Sequence, residues 1–336
     1  MKLAMFQEPQ EGSKVRCGLC SHRCLIAPGR RGICAVRENR NGMLISLVYN
    51  KVIARNIDPI EKKPLFHFLP GSRSFSIATP GCNFHCKHCQ NADISQLPQD
   101  HGGTVVGEAM TPSEIVNAAV QHHCASISYT YTEPTVYFEL AYDTAKLARE
   151  RGLRNVFVTN GYITPEALRE IHPYLDAANI DLKGYTEDFY KTVCGARLQP
   201  VLDSIRLYKE LGIWIEITTL VIPGHNDSDA ELRQTAEFIR SVGADVPWHV
   251  TRFHPTYKLV DRPPTPLETL KRARQIGLDA GLRYVYEGNI PGEGEETICW
   301  NCRRAVVKRF GFSVKENSAV EGTCAFCGAK IDGVWV

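Results

Sequence analysis

No stretch of this 336-residue chain stays apolar for the ~18 residues that a membrane-spanning helix needs. The opening residues, MKLAMFQEPQEGSKVR, lack the apolar run of a secretory signal. A cytoplasmic location without a membrane partner is therefore expected. Charge of one sign is missing too: 39 Lys and Arg stand against 37 Asp and Glu, a net charge of +2. That balance excludes the broad basic footprint of a nucleic-acid binder, so partners must be sought at sites. There is no long repeat, low-complexity tract or charge block, and no G-x-G-x-x-G follows the first β-rich run. What the chain does have is cysteine, 13 in all.

Thiols in a reducing compartment are a poor disulfide framework, and clustering there points to metal or catalysis. Cys17, Cys20, Cys24 and Cys34 form one group, Cys82, Cys86 and Cys89 a second, and Cys299, Cys302, Cys324 and Cys327 a third. Cys124 and Cys194 stand alone and read as small buried hydrophobes.

Between residues 74 and 287, β-rich runs alternate with amphipathic helical runs. The candidate strands are 74–79, 125–131, 154–159, 177–183, 213–222, 248–253 and 283–287. Three helices announce their start alike, at Thr111-Pro112, Thr164-Pro165 and Thr265-Pro266. A threonine cap followed by proline at the first helical position suits a helix N-terminus, and Glu114 and Glu268 would complete capping boxes. Regular alternation implies a parallel sheet covered by helices. Six or seven units suggest an α/β barrel or partial barrel, with an open doubly wound sheet as the alternative. In both, ligands bind at the carboxyl ends of the strands, where the cysteine triplet follows the first strand. The expected organisation is a cysteine-rich segment over 1–72, a barrel core over 73–291 and a metal-bearing module over 292–336.

The triplet reads PGCNFHCKHCQN. A closed zinc site wants four ligands, so three thiols either borrow His85 or His88 or leave a coordination position vacant. The spacing C-x3-C-x2-C resembles the signature of the radical S-adenosylmethionine (SAM) superfamily, whose fold is a partial (βα)6-type TIM barrel. The resemblance implies that Cys82, Cys86 and Cys89 bind three irons of a [4Fe-4S] cluster. The open iron would chelate SAM, and reductive cleavage would give a 5'-deoxyadenosyl radical that abstracts hydrogen from a substrate. An electron donor such as ferredoxin or flavodoxin is implied as well.

Further likeness covers roughly residues 74 to 290. Tyr131-Thr132-Glu133-Pro134 stands where the family has Gly-Gly-Glu-Pro; the glycines are absent, and Glu133 carries over as a SAM contact. Val158-Thr159-Asn160-Gly161 and Ile180-Asp181-Leu182-Lys183 resemble Asp-Thr-Asn-Gly and Leu-Asp-Leu-Lys of the glycyl-radical activating enzymes. Val158 replaces one acid of a cation site, which leaves Thr159, Asn160, Asp181 and Lys183 as polar cofactor candidates. His254 stands where those enzymes place a histidine near the adenosine, and also reads as an ordinary turn histidine. No residue is singled out as catalytic. RCGLCSHRC, GICAVREN, YTYTEPT and EGNIPG are together similar to the radical SAM member of the AmmeMemoRadiSam system.

Cys299-x2-Cys302 and Cys324-x2-Cys327 look like the two knuckles of a zinc ribbon. Cys17, Cys20, Cys24 and Cys34 suit zinc or a second iron-sulfur cluster equally, with His22 as a possible replacement ligand. The sequence thus expects a radical SAM enzyme acting on a protein, peptide or metabolite, with a macromolecular partner docked by the terminal modules. A glycyl-radical activase is the alternative within the class, and a non-catalytic zinc-ribbon interaction protein the alternative outside it.

Overall fold

The seven β-rich runs all form strands, and these lie side by side in chain order. The structure is a computed structural model that describes residues 2–290, 292 and 294–335. An edge strand, β1 (Ala54–Pro59), precedes β2 (Arg73–Ala78), β3 (Ser126–Tyr129), β4 (Arg154–Thr159), β5 (Ala177–Asp181), β6 (Trp214–Val221), β7 (Trp248–Arg252) and β8 (Val285–Gly288). From β2 to β8 every neighbouring pair is parallel. Parallel neighbours need a crossover. Helices α1 (Pro112–Gln121), α2 (Phe138–Glu150), α3 (Pro165–Ile171), α4 (Leu198–Glu210), α5 (Asp229–Val242) and α6 (Leu267–Asp279) provide the six crossovers. Helix cover explains why a strand such as β3 is buried at every residue, both faces included. β1 and β8 are the two edges of the sheet, so the barrel is partial. This is the α/β fold that the resemblance implies, with cysteine clusters near both termini.

Two of the three proline-marked helix starts form as expected. Thr111 accepts from the Glu114 amide while the Glu114 carboxylate bonds back to the Thr111 amide, a complete capping box. Thr164 accepts from the Ala167 amide. Thr265 departs from the expectation: α6 begins at Leu267, Pro266 is its cap, and no side chain closes the helix end. The Thr265 hydroxyl is instead wholly buried, donating to the Val221 carbonyl at 2.6 Å and accepting from the Phe253 amide at 2.9 Å. It ties the ends of β6 and β7 together, a demand that overrides the local cap.

The segment before residue 72 contributes directly to the barrel. Its last strand, β1, pairs antiparallel with β2, so the sheet crosses that boundary. Residues 60–69 then run beneath the barrel, where Ile60, Leu65, Phe68 and Leu69 pack on Val156 and Ala177. Glu216 anchors this plug by accepting from the amides of Phe66 at 3.0 Å and His67 at 2.7 Å. The boundary drawn at residue 291 falls outside the described residues. Beyond it, strands Thr297–Ile298, Ala305–Phe310 and Ser313–Asn317 form an antiparallel sheet. Its apolar cluster joins Cys299, Val306, Val307 and Ile331 to Phe66, Tyr284 and Tyr286 of the barrel side. The C-terminal module therefore shares a core with the edge of the sheet. Among the described residues, no helix is long and apolar enough to cross a membrane.

Candidate active site

At the carboxyl ends of the parallel strands the chain encloses a cavity of about 480 Å³. Cys82, Cys86 and Cys89 line it from the loop after β2, Glu133 from the loop after β3, and Thr159 and Asn160 from the end of β4. Asp181 and Lys183 line it from the end of β5. The structure thus brings together all three thiols of the triplet and five of the six cofactor candidates. His254 is the exception. It is exposed and outside the cavity lining, and Thr251 takes the inward place at the end of β7. The chain turns outward there because Thr256 and Leu259 pair across a tight bend whose Tyr257 hydroxyl bonds Asp100 at 2.7 Å.

The triplet loop is held from three sides. Gln96 donates to the Phe84 carbonyl, Gln99 to the Cys82 carbonyl, and the His85 amide to the Cys194 carbonyl. Polar groups converge on the sulfurs. The Phe84 amide lies 3.4 Å and Asn160 Nδ2 3.8 Å from Cys82 Sγ, and Ser95 Oγ is 3.1 Å from Cys89 Sγ. Burial pushes the Cys82 and Cys89 thiols up, whereas a hydrogen bond from Cys194 holds Cys86 below the usual thiol range. A buried thiolate needs a cation, and metal binding displaces the thiol proton. Buried Nδ1 of His88 and Nδ2 of Asn83 have no protein partner.

These features fit an iron-sulfur cluster better than a zinc knuckle. The three sulfurs of the triplet do not gather within 4.8 Å of one another, as ligands of a single tetrahedral ion must. The set that does gather around Cys86 contains His88 and Cys194. Cys194 is thus no isolated hydrophobe: it ends the helical turn at Tyr190–Cys194 and reaches Cys86 of the triplet loop across 107 intervening residues. Nothing local marks it in the sequence.

Glu133 is buried, and its carboxylate is a hub. Oε1 accepts from the Thr135 amide and hydroxyl and from the Thr159 hydroxyl, and Oε2 accepts from the Asn160 amide at 2.8 Å. Burial raises its carboxyl pKa against the pull of those donors. With about four acceptor positions on a carboxylate, Oε2 retains room for one more donor from the cavity. Asp181 and Lys183 pair at 2.8 Å. Burial disfavours the Lys183 charge, but Asp181 and the nearby thiols outweigh it and hold the amine protonated. Val158 faces the same cavity and contributes no acid. Sequence reasoning missed Asn179, Thr218 and Asn289 on the wall, and Phe312, which arrives from the C-terminal module.

The C-terminal cysteines form a compact set: Cys299 and Cys327 Sγ are 3.7 Å apart, Cys302 and Cys324 Sγ 3.8 Å, and all four sulfurs lie within 4.8 Å of one another. A tetrahedron with metal-sulfur bonds of about 2.3 Å has edges of about 3.8 Å, so these thiols match a single ion. The Ala329 amide and Asn301 side chain lower the Cys327 pKa to about 6.

Comparisons with known proteins agree with this geometry. The family model of the radical SAM superfamily matches residues 76–239. An uncharacterized protein of Methanocaldococcus jannaschii is 51% identical over 336 residues, covering 99% of each chain. The pyruvate formate-lyase-activating enzyme of Clostridium pasteurianum is 21% identical over 230 residues, 65% of this chain and 93% of its own. The crystal structure of a radical SAM methyltransferase from Sphaerobacter thermophilus superposes with a TM-score of 0.51 at 16% identity, covering 66% of this chain and 67% of that one, which shows a common fold. With seven parallel strands, a cysteine triplet at their carboxyl ends and these relatives, the chain belongs to the radical SAM superfamily, an enzyme family in which it is related to the glycyl-radical enzyme activases.

Proposed function

We propose that Cys82, Cys86 and Cys89 hold a [4Fe-4S] cluster at one wall of the 480 Å³ cavity, with SAM filling the rest. When bound, the cluster supplies the electron for reductive cleavage of SAM and so the radical that abstracts hydrogen from the substrate. The observation that carries this reading is the convergence of the triplet with Glu133, Asn160, Asp181 and Lys183 on one cavity of a size suited to a cofactor. Glu133 fixes the loops after β3 and β4 and offers its free acceptor position to the SAM ammonium. Asn160 donates toward Cys82 and the Lys183 ammonium faces the thiolates, both of which favour a negatively charged metal-thiolate group. The buried walls exclude water from a reactive intermediate.

For the substrate, the reading is a protein or peptide segment modified repeatedly. Lys62 and Lys63 follow the edge strand β1, Asn289 follows the opposite edge β8, and all three line the cavity together with half-exposed Phe312. An approach between two sheet edges suits a segment of a larger molecule. Membership of the narrower AmmeMemoRadiSam group rests on the motifs RCGLCSHRC, GICAVREN and EGNIPG. The likeness to pyruvate formate-lyase-activating enzyme favours a second reading, activation of a glycyl-radical enzyme. Either needs a low-potential donor of the ferredoxin or flavodoxin class. The compact C-terminal set is assigned to zinc.

The test is anaerobic reconstitution of the wild type and of a Cys82→Ala, Cys86→Ala, Cys89→Ala variant, each incubated with SAM and dithionite. The wild type should form 5'-deoxyadenosine and the variant none; continued cleavage by the variant would refute the assignment. Adding candidate partners then separates the readings, since a modifier turns over on one partner molecule after another and an activase stops after one event per target.

A further inference from the structure

The N-terminal cysteines differ from the C-terminal set in one respect: they stand apart. Cys17, Cys20, Cys24 and Cys34 all line a second, small cavity of about 20 Å³, yet no three of their sulfurs lie within 4.8 Å of one another. A single zinc ion would draw four sulfurs to about 2.3 Å from one point and leave no space between them. In an iron-sulfur cube the irons sit at separate corners, so the thiolates that hold it stand farther apart than those on one ion. The cysteine triplet of the main site shows the same separation.

A second observation points to what belongs there. Arg37 lines this cavity with only 1% of its surface exposed, and its Nε and Nη1 have no hydrogen-bond partner. Nη2 alone is engaged, donating to the Met5 carbonyl at 2.6 Å and pairing with Glu139 at 3.0 Å. Leaving donors of a buried cation unpaired is expensive, and an anionic group in the cavity would satisfy them. Leu19, Ile26, Ile33 and Val136 make the other walls largely apolar, and the two polar side chains among them are engaged elsewhere, His22 Nε2 with the Asn83 carbonyl and the Thr135 hydroxyl with Glu133. Gly32 keeps the floor open: a Cβ there would come within 3.2 Å of Ile26 Cδ1 and 3.6 Å of Cys24 Sγ.

We infer that Cys17, Cys20, Cys24 and Cys34 ligate a second iron-sulfur cluster of the cubane type, with the Arg37 guanidinium donating to its sulfurs. This site abuts the first. A Cβ on Gly81, next to Cys82, would lie 3.3 Å from the Cys34 carbonyl, and His22 bonds the Asn83 carbonyl at 2.8 Å.

The experiment counts metal in the reconstituted Cys82→Ala, Cys86→Ala, Cys89→Ala variant. It should retain about four iron and four sulfide per chain, with thiolate-to-iron charge-transfer absorption and a cubane Mössbauer signature. Adding Cys20→Ser and Cys34→Ser should abolish both, whereas adding Cys299→Ser and Cys327→Ser should remove zinc and leave iron unchanged. Arg37→Lys in the triple variant keeps the buried charge but not the fork of donors, and should shift the cluster's reduction potential at full iron content. A folded triple variant that carries a second zinc, or no metal at Cys17 to Cys34, overturns the inference. That outcome is distinct from failure of the main assignment, in which wild type and triple variant would hold equal iron.

Discussion

Glu133 shows how much a single residue can organise. Glu133→Gln replaces an acceptor with an NH2 group facing the Asn160 amide or the Thr135 and Thr159 hydroxyls, all donors to the present carboxylate. Losing one charge-assisted bond costs about 1.5–3 kcal/mol. SAM affinity, measured by calorimetry on reconstituted protein, should fall about ten- to a hundredfold. Unchanged affinity would remove Glu133 from the site. At this scale the sequence was legible where residues sit at strand ends, because position in a parallel sheet fixes what faces the cavity. Cys82, Glu133, Thr159, Asn160, Asp181 and Lys183 all follow or end such strands and line the one cavity. His254 lies outside the cavity lining although only Phe253 separates it from the end of β7, because the outward bend at Thr256–Leu259 depends on a tertiary contact with Asp100. Cys194 and Phe312 come from elements whose approach to the site no local pattern encodes.

Among the elements, the three threonine-proline starts offer a controlled comparison. Thr111→Ala removes an exposed cap and should cost about 1 kcal/mol in urea denaturation. Thr265 carries the same signature but is buried between β6 and β7. Thr265→Val keeps its shape while stranding the Phe253 amide and Val221 carbonyl, about 1–3 kcal/mol for each group left unsatisfied. The expected order is a larger loss at 265 than at 111, and equal losses would contradict the role assigned to Thr265. Apolar runs and helix starts made the seven parallel strands readable. β1 was not readable, since Arg55, Asn56 and Ile57 are exposed and ARNIDP has neither a buried run nor alternation. Only its pairing with β2 makes it a strand.

The whole molecule carries a pH dependence set by its buried plug. His67 is fully enclosed, bonding the Asp332 carbonyl and the Tyr286 hydroxyl at 2.6 Å each. Burial lowers its pKa from 6.5 to about 4, with Glu216 pulling the other way and Arg309 and His249 adding to the drop. The unfolded chain therefore binds the proton first as pH falls. Stability should be full above about pH 6.5 and decline toward pH 4, by about 3 kcal/mol from this group. Denaturation midpoints at several pH values should follow that slope in the wild type, and the slope should flatten in His67→Gln. A pH-independent midpoint would exclude His67 as the source.

The C-terminal module has one consequence that concerns mechanics. Its Arg309 is buried against Glu61 and the Phe66 carbonyl, Val334 bridges Phe68, and its apolar cluster holds Tyr284 and Tyr286 beside β8. The module therefore clasps the plug that follows β1 to the strand at the far edge, bridging the seam that the sheet leaves unpaired. On the zinc assignment proposed above, such a clasp would close an open ribbon into a hoop held by one ion. Chelating the metal at Cys299, Cys302, Cys324 and Cys327 should loosen amide protons first along β1 and β8 in hydrogen exchange, while β4 and β5, deep in the sheet, keep theirs. A metal that never meets the substrate would then set how wide the seam opens and what passes through it.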